Sequence, residues 1–182
     1  NYKAMADVDV FDVERDARTY DGPWPVVAHP PCRAWGGLKH MANPRPDEKN
    51  LARLAVALVR EFGGVLEHPA RSALWAAQEL PAPRERDAYG GWTLPIVQQW
   101  WGHKAEKKTW LYIVGCEPRD IPAMPMSLGK ATHVIATSTM CKYRFGDPRR
   151  KLEVPRVERE HTPPQLCAWL VELAAKCKTP NV

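Results

Sequence analysis

A cysteine follows two prolines at the end of a short apolar segment, in the order Val26-Val27-Ala28-His29-Pro30-Pro31-Cys32. The apolar residues predict a strand, and the prolines predict a stiff turn because each one locks its own φ angle. A strand on one side and a stiff turn on the other suit a nucleophile that must meet its substrate at a fixed angle. The alternative for Cys32 is a buried structural cysteine after a Pro-rich turn.

A carboxylate and a histidine follow a second apolar segment. Val65-Leu66 predicts a strand, with Glu67 and His68 at its carboxyl end. Because the carboxyl ends of neighbouring parallel strands meet at one edge of a sheet, we expect Cys32 and Glu67 to converge there. His29 and His68 would then donate protons in the site or orient the carboxylate. The alternative for Glu67 is a cap on the following turn or a partner for a surface lysine.

A thiol and a carboxylic acid at one edge of a sheet can together activate a pyrimidine ring. A thiolate adds to an electron-poor ring carbon. A carboxylic acid in a closed pocket hydrogen-bonds an exocyclic amine or a ring nitrogen. Attack of Cys32 on C6, with Glu67 polarising the N3 side, would make C5 nucleophilic. These residues therefore predict covalent activation of a pyrimidine base.

The elements between the two motifs form a strand–helix–strand unit. Asp47–Phe62 carries apolar residues at helical spacing, and Gly63-Gly64 predicts the end of that helix. The short return to the next strand predicts parallel pairing. Other segments predict strands at Val8–Phe11, Ile96–Trp101, Thr109–Val114 and His133–Thr137, a short helix at Ser72–Leu80, and a last helix with Thr162 as N-cap. The pattern favours an α/β fold with an open, mostly parallel sheet.

Two basic segments are candidates for contact with phosphate. His103, Lys104, Lys107 and Lys108 form a cluster before a predicted strand, where lysines could hold phosphate at the edge of the site. The irregular insert at about residues 141–159 combines Tyr143 and Phe145 with basic residues, as a nucleic-acid groove requires, namely Lys142, Arg144, Arg149, Arg150 and Lys151. The alternative for the cluster at residues 103–108 is a solvated loop, and the alternative for the insert is a mobile loop.

Composition places the chain among globular proteins with one core. Its 182 residues, 45% hydrophobic, predict a single α/β domain over residues 1–182, and the net charge of +5 is compatible with a nucleic-acid partner. The five cysteines are Cys32, Cys116, Cys141, Cys167 and Cys177. An odd number without a CxxC pair predicts reduced thiols in a cytoplasmic protein. We expect no membrane span, and no metal site, because no His or Cys pair has zinc-finger spacing.

The motifs taken together resemble the catalytic half of the DNA cytosine-C5 methyltransferases. That family has its nucleophile in a Pro-Pro-Cys motif and its acid in a Glu-Asn-Val type motif, to which Pro30-Pro31-Cys32 and Glu67-His68-Pro69 are similar in order. Lys108 to Gly115 is similar to a later strand that helps to hold the target base and its phosphate, and Thr162-Pro163-Pro164 resembles the start of the final motif. The resemblance implies a reduced Rossmann or methyltransferase-like fold, with cytosine in DNA as substrate.

The chain departs from that family at the cofactor. The Gly-rich loop with which the family binds S-adenosylmethionine is absent from this sequence, so the cofactor stays open. Asp12 and Asp16 are the residues that correspond to acidic cofactor contacts. Arg33 stands where the family has Gln and joins the substrate-binding candidates, and His68 stands where it has Asn.

Three hypotheses for function follow. The first is a nucleobase-modifying enzyme that acts on a pyrimidine, cytosine in DNA, flipped out of the stack. The second is a non-catalytic methyltransferase-like domain that binds nucleic acid or a protein. The third is an enzyme that modifies C5 of a free pyrimidine nucleotide.

Overall fold

The chain folds around a central sheet with helices on both faces. The computed structural model describes residues 1–37, 39–127, 129–135, 143–144 and 146–179. Within these ranges the strands are β1 (Val26–Ala28), β2 (Gly64–Pro69), β3 (Trp92–Val97), β4 (Lys108–Val114), β5 (His133–Val134) and β6 (Leu152–Glu153). The α-helices are α1 (Glu48–Phe62), α2 (Ala73–Ala77), α3 (Arg156–Glu160) and α4 (Pro164–Lys176). Short 3₁₀ helices lie at Tyr2–Ala4, Ala17–Thr19, Lys39–Met41, Gln98–Trp101 and Pro118–Asp120.

The central sheet is mixed rather than mostly parallel. Its strand order is β1-β2-β4-β3, in which β1 and β2 are parallel and both contacts of β4 are antiparallel. The fold is thus α/β, but the expectation of an open, mostly parallel sheet is wrong. The connection between β3 and β4 explains why. It is a short 3₁₀ turn without a crossover helix, and such a connection can join antiparallel neighbours only.

The predicted strand–helix–strand unit is present and sets the edge at which the site lies. Helix α1 follows a pattern in which Ala52, Val56 and Val59 are buried on one face. It ends at Gly63, and Gly64 then begins β2 with φ at +121°. A Cβ atom at Gly64 would lie 2.1 Å from the Val26 carbonyl oxygen, so only glycine allows β1 and β2 to pair this closely here.

Two apolar clusters cover the two faces of the central sheet. The cluster on the α1 and α2 face includes Leu66, Trp75, Tyr112 and Val114 together with the buried residues of α1. The cluster on the α4 face includes Val65, Leu111, Ile113, Leu166, Trp169, Leu170 and Leu173. Successive residues of β2 therefore point into different clusters, as strand geometry requires. Among the described residues, no helix is long and apolar enough to span a membrane.

Two strand predictions differ from the structure. Val8–Phe11 is not a strand, because its acidic neighbours hold the segment in a local loop in which Arg15 pairs with Asp9. The predicted strand at Ile96–Trp101 begins earlier, at Trp92, and ends at Val97. The residues after Val97 form a 3₁₀ turn that Gly102 ends at φ +94°.

The C-terminal elements also differ in detail from the prediction. Helix α4 has Pro163 rather than Thr162 as its N-cap, and no side chain caps it. Strand β5 covers only the first part of the predicted His133–Thr137 strand, whose last two residues lie outside the described residues. The basic insert is not wholly irregular, since it includes β6 and part of α3, while residues 141–142 and 145 lie outside the described ranges.

Candidate active site

The parallel pairing of β1 with β2 brings His29 and Glu67 into contact. Val27 pairs with Val65 and Ala28 with Leu66, so the next residues of the two strands are neighbours. The His29 Nδ1 atom lies 2.9 Å from Glu67 Oε2. The carboxyl ends of these two strands therefore meet at one edge of the sheet, and they do so through a histidine–carboxylate pair.

Glu67 is buried and hydrogen-bonded through both carboxylate oxygens. Glu67 is only 8% exposed, and its Oε1 accepts a hydrogen bond of 3.0 Å from Gln98 Nε2. The same Gln98 nitrogen lies 3.0 Å from Thr109 Oγ1. Burial alone would raise the pKa of Glu67, but the hydrogen bond from His29 and nearby positive charge lower it to about 2. Glu67 is thus a carboxylate in the free protein.

Tyr2 covers the outer face of His29. Its hydroxyl lies 2.7 Å from His29 Nε2, and the two ring centroids are 5.5 Å apart. A neutral His29 ring with its proton on Nδ1 satisfies both contacts, because Nδ1 then donates to Glu67 and Nε2 accepts from the tyrosine hydroxyl. The result is a continuous hydrogen-bonded chain from Tyr2 through His29 and Glu67 to Gln98.

Cys32 lies beyond β1 in a tight turn at the same edge. Its carbonyl oxygen accepts hydrogen bonds from the backbone N–H groups of Trp35, at 3.0 Å, and Gly36, at 2.7 Å. The side chain is half-buried. Burial raises the pKa of the Cys32 thiol, the nearby Glu67 carboxylate raises it further, and Lys107 acts in the opposite direction. Cys32, Glu67 and Lys107 are therefore electrostatic neighbours.

His68 lies on the other face of β2, away from Glu67. It is fully buried beside Trp75, with ring centroids 6.5 Å apart, and neither ring nitrogen makes a hydrogen bond of normal geometry. Burial lowers the pKa of His68 to about 4, against the opposing effects of Glu67 and the Pro31 backbone. His68 therefore does not orient Glu67, whereas His29 does.

Three of the candidate phosphate ligands are engaged elsewhere in the fold. Arg33 binds Glu48, whose carboxylate is buried in the first turn of α1, at 2.5 Å. Lys104 pairs with Glu158 at 2.9 Å on the surface. His103 is buried and its Nδ1 atom lies 3.0 Å from the Ala105 carbonyl oxygen. These side chains hold loops together in the free protein.

Lys107 and Lys108 are the two candidates that lie at the edge of the site. They precede and begin β4, opposite the carboxyl end of β2, where Pro69 pairs with Thr109. Lys107 is half-buried and acts electrostatically on both Glu67 and Cys32, and Lys108 is exposed. Lys107 is thus the cation of this cluster that the fold brings to the thiol and the carboxylate.

The two candidate contacts for S-adenosylmethionine, Asp12 and Asp16, are both engaged in local pairs. Asp12 pairs with Lys3 at 2.8 Å, and Asp16 caps the 3₁₀ turn at Ala17–Thr19 while it pairs with Arg18. No group of three or more His, Cys, Asp or Glu residues in the described ranges could hold a metal ion.

A surface groove at the opposite end of the sheet shares no residue with this site. It is lined by Arg119, Asp120, Ile121 and residues 175–178. Its cysteine is Cys177, and burial raises the pKa of that thiol to about 12. At neutral pH the Cys177 thiol is therefore protonated.

Gln98 and Tyr2 belong to the site, but the sequence analysis did not predict either of them. Gln98 is a polar residue inside the apolar segment Ile96–Trp101, and that interruption is a signal that could have identified it. Tyr2 carries no such signal, because its contact with His29 joins residues 27 positions apart through a loop.

The arrangement combines a half-buried thiol, an ionised buried carboxylate held by a histidine, and a nearby lysine. Such a set can position a planar polar ring and deliver a sulfur nucleophile to it. No protein-family model, curated protein or solved structure matches this chain.

Proposed function

We propose that this chain is a nucleobase-modifying enzyme that acts on a pyrimidine, cytosine in DNA, through addition of Cys32 to C6 and activation of C5. The observation that supports it is the meeting of two parallel strand ends, where His29 Nδ1 lies 2.9 Å from Glu67 Oε2 and the Glu67 charge raises the pKa of the Cys32 thiol in the turn that follows. A nucleophile and a buried polar group at one sheet edge are what covalent activation of a ring requires.

The first step forms a bond between the Cys32 sulfur and C6 of the ring. The electron pair of the C5–C6 double bond moves to C5, which then takes a proton or another electrophile. Loss of the original C5 proton and cleavage of the sulfur–C6 bond restore the double bond and release the thiolate. Glu67, as a carboxylate, accepts a hydrogen bond from the exocyclic amine. His29 supports this carboxylate by donating a hydrogen bond from Nδ1 to Glu67 Oε2.

The raised pKa of Cys32 means that the thiol must lose its proton before it can attack. A bound pyrimidine that hydrogen-bonds Glu67 would weaken the effect of the Glu67 charge on the pKa of Cys32. The effect of Lys107, which lowers that pKa, would remain. Substrate binding would therefore favour the thiolate.

Exchange of the C5 hydrogen with solvent tests the proposal without any group donor. A cytosine-containing oligonucleotide is incubated with the protein in D₂O, and the nucleosides are analysed by mass spectrometry. We expect a gain of one mass unit on cytosine, and no gain with Cys32→Ser. Cys116→Ser is the matched control, since Cys116 is a buried cysteine in the apolar cluster on the α4 face. Equal exchange by wild type and Cys32→Ser would exclude the covalent step.

The choice between DNA and a free nucleotide follows from the same assay. Arg149 lies over the Tyr143 ring at 4.3 Å in the basic insert, a pairing of charge and aromatic surface that suits a nucleic-acid strand. We therefore expect exchange on the oligonucleotide to exceed exchange on dCMP. Faster exchange on dCMP or dUMP would favour the nucleotide-level enzyme.

A non-catalytic binding domain is the second candidate function. The observation that favours it is the closed state of the site, in which Glu67 is 8% exposed and Tyr2 lies over His29. This candidate predicts salt-sensitive binding of DNA with no exchange at C5 under any condition tested. Exchange that requires Cys32 would rule it out.

A further inference from the structure

The Tyr2 side chain fills a space that has the walls of a base-binding pocket. His29 lies against one side, with a tilt of 39° between the two rings. Glu67 lies behind His29, and the Tyr2 hydroxyl points at the histidine that holds this carboxylate. Burial raises the pKa of the Tyr2 hydroxyl strongly, with Cys167 of α4 and Glu67 as the further causes, so both residues are close to this ring.

We propose that the space occupied by the Tyr2 ring is the binding pocket of the target pyrimidine, and that Tyr2 leaves it when the substrate enters. This inference rests on the proposed function and names the place of its substrate. A tyrosine side chain and a pyrimidine are both six-membered planar rings with a polar group on the edge. A pyrimidine in this space can contact the edge of His29 as the Tyr2 ring does, and it can present its exocyclic amine to the His29–Glu67 pair.

Exposed polar pairs flank the contact between Tyr2 and His29. Lys3 pairs with Asp12 at 2.8 Å and with Glu14 at 2.7 Å, and its own side chain is 59% exposed. Asn1 donates a hydrogen bond of 2.8 Å to the Thr162 carbonyl oxygen, which is also exposed. Exposed pairs of this kind contribute little to stability. A substrate that binds the open state therefore competes chiefly with the Tyr2–His29 contact.

A covered pocket lowers the apparent affinity for substrate in a defined way. The observed Kd equals the intrinsic Kd divided by the fraction of molecules in which the pocket is open. A variant that lacks the Tyr2 ring removes that factor, so it should bind a free pyrimidine nucleotide more tightly than the wild type. A residue that instead forms a wall of the pocket would have the opposite effect.

Binding of dCMP to the full chain, measured by isothermal titration calorimetry, tests the inference. We expect Tyr2→Ala to lower the Kd by about tenfold and Tyr2→Phe, which loses only the bond to His29, to lower it by about threefold. Tyr20→Phe is the matched control. Tyr20 lies in the same N-terminal segment but packs against Phe62, so its loss should leave the Kd unchanged. An unchanged or raised Kd in Tyr2→Ala overturns the inference.

Two further outcomes separate this inference from the proposed function. Tighter dCMP binding by Tyr2→Ala without C5 exchange by the wild type would support the pocket and contradict the covalent chemistry. Exchange by the wild type with no gain in binding for either Tyr2 variant would support the chemistry and overturn the pocket. If Tyr2→Ala does not fold, Tyr2→Phe decides, because it keeps the ring and removes only the hydroxyl bond.

Discussion

His29 donates its Nδ1 proton to Glu67 across 2.9 Å, although the two residues are 38 positions apart in the chain. The contact exists because β1 and β2 are parallel and in register, so that the residues after Ala28 and Leu66 meet. It is the interaction that keeps a buried carboxylate ionised at the edge where Cys32 lies. The predictions below follow from this pair and its neighbours.

Removal of His29 should destabilise the fold by leaving Glu67 buried without its partner. We expect His29→Ala to reduce the free energy of unfolding by about 3 kcal/mol, as for other broken buried pairs. Lys104→Ala, which breaks an exposed pair with Glu158, should cost less than about 1 kcal/mol. Urea denaturation at neutral pH measures both. Equal effects of the two variants would contradict the assignment of His29 as the partner that stabilises Glu67.

The His68 ring should make the fold sensitive to mild acid. Its pKa is lowered from 6.5 to about 4 in the folded state, so the unfolded chain binds a proton first as the pH falls. Stability is therefore fully present above pH 6.5 and decreases toward pH 4, by about 3 kcal/mol in total. His68→Leu should remove most of this loss and leave the part that comes from buried His103, whose pKa is also lowered, whereas His40→Ala, at an exposed position, should not change it. An undiminished loss of stability in His68→Leu would contradict the assignment of this pH dependence to His68.

Glu67 should control the reactivity of Cys32 toward alkylating reagents. Because burial and the Glu67 charge raise the pKa of the thiol, iodoacetamide should label Cys32 with a pH midpoint above that of an ordinary cysteine. Glu67→Gln should shift the midpoint down, and Lys107→Gln should shift it up. Lys108→Gln is the control, since Lys108 is exposed at the start of β4. A midpoint that none of these variants moves would contradict the electrostatic contact.

The same Glu67→Gln variant should lose C5 exchange while its thiol becomes more reactive. The amide cannot act as the carboxylate that binds the exocyclic amine, so we expect a decrease of about a hundredfold in exchange. Mass spectrometry of the nucleosides and labelling of Cys32 are measured on one preparation. A parallel rise or fall of both rates would show that Glu67 acts on the thiol alone.

A second carboxylate beside Glu67 should disable the site. Gln98 donates to Glu67 Oε1 at 3.0 Å, so Gln98→Glu would place two carboxylates in contact, and both cannot ionise there. We expect loss of C5 exchange and a fold that becomes more stable as the pH falls toward the pKa of the raised carboxyl. Gln99→Glu is the matched control, because Gln99 donates instead to the Gly129 carbonyl. Urea denaturation over a pH series distinguishes the two.

The local pattern of the chain determined the unit that carries the site. Helical spacing of apolar residues, the Gly63-Gly64 stop and the short return predict β1, α1 and β2, and the structure confirms their parallel pairing. This part was predictable because the connection is short and its handedness and pairing are restricted. The meeting of the Cys32 and Glu67 strand ends follows from that pairing alone.

Tertiary structure decided which side chains face one another. The sequence treats His29 and His68 alike, yet alternation along β2 sends His68 to the α1 face, and register brings His29 to Glu67. The antiparallel insertion of β4, the turn that directs Gln98 to Glu67, and the placement of Tyr2 over His29 all depend on contacts between distant residues. No local pattern encodes such contacts, because their energies arise only once the sheet has formed.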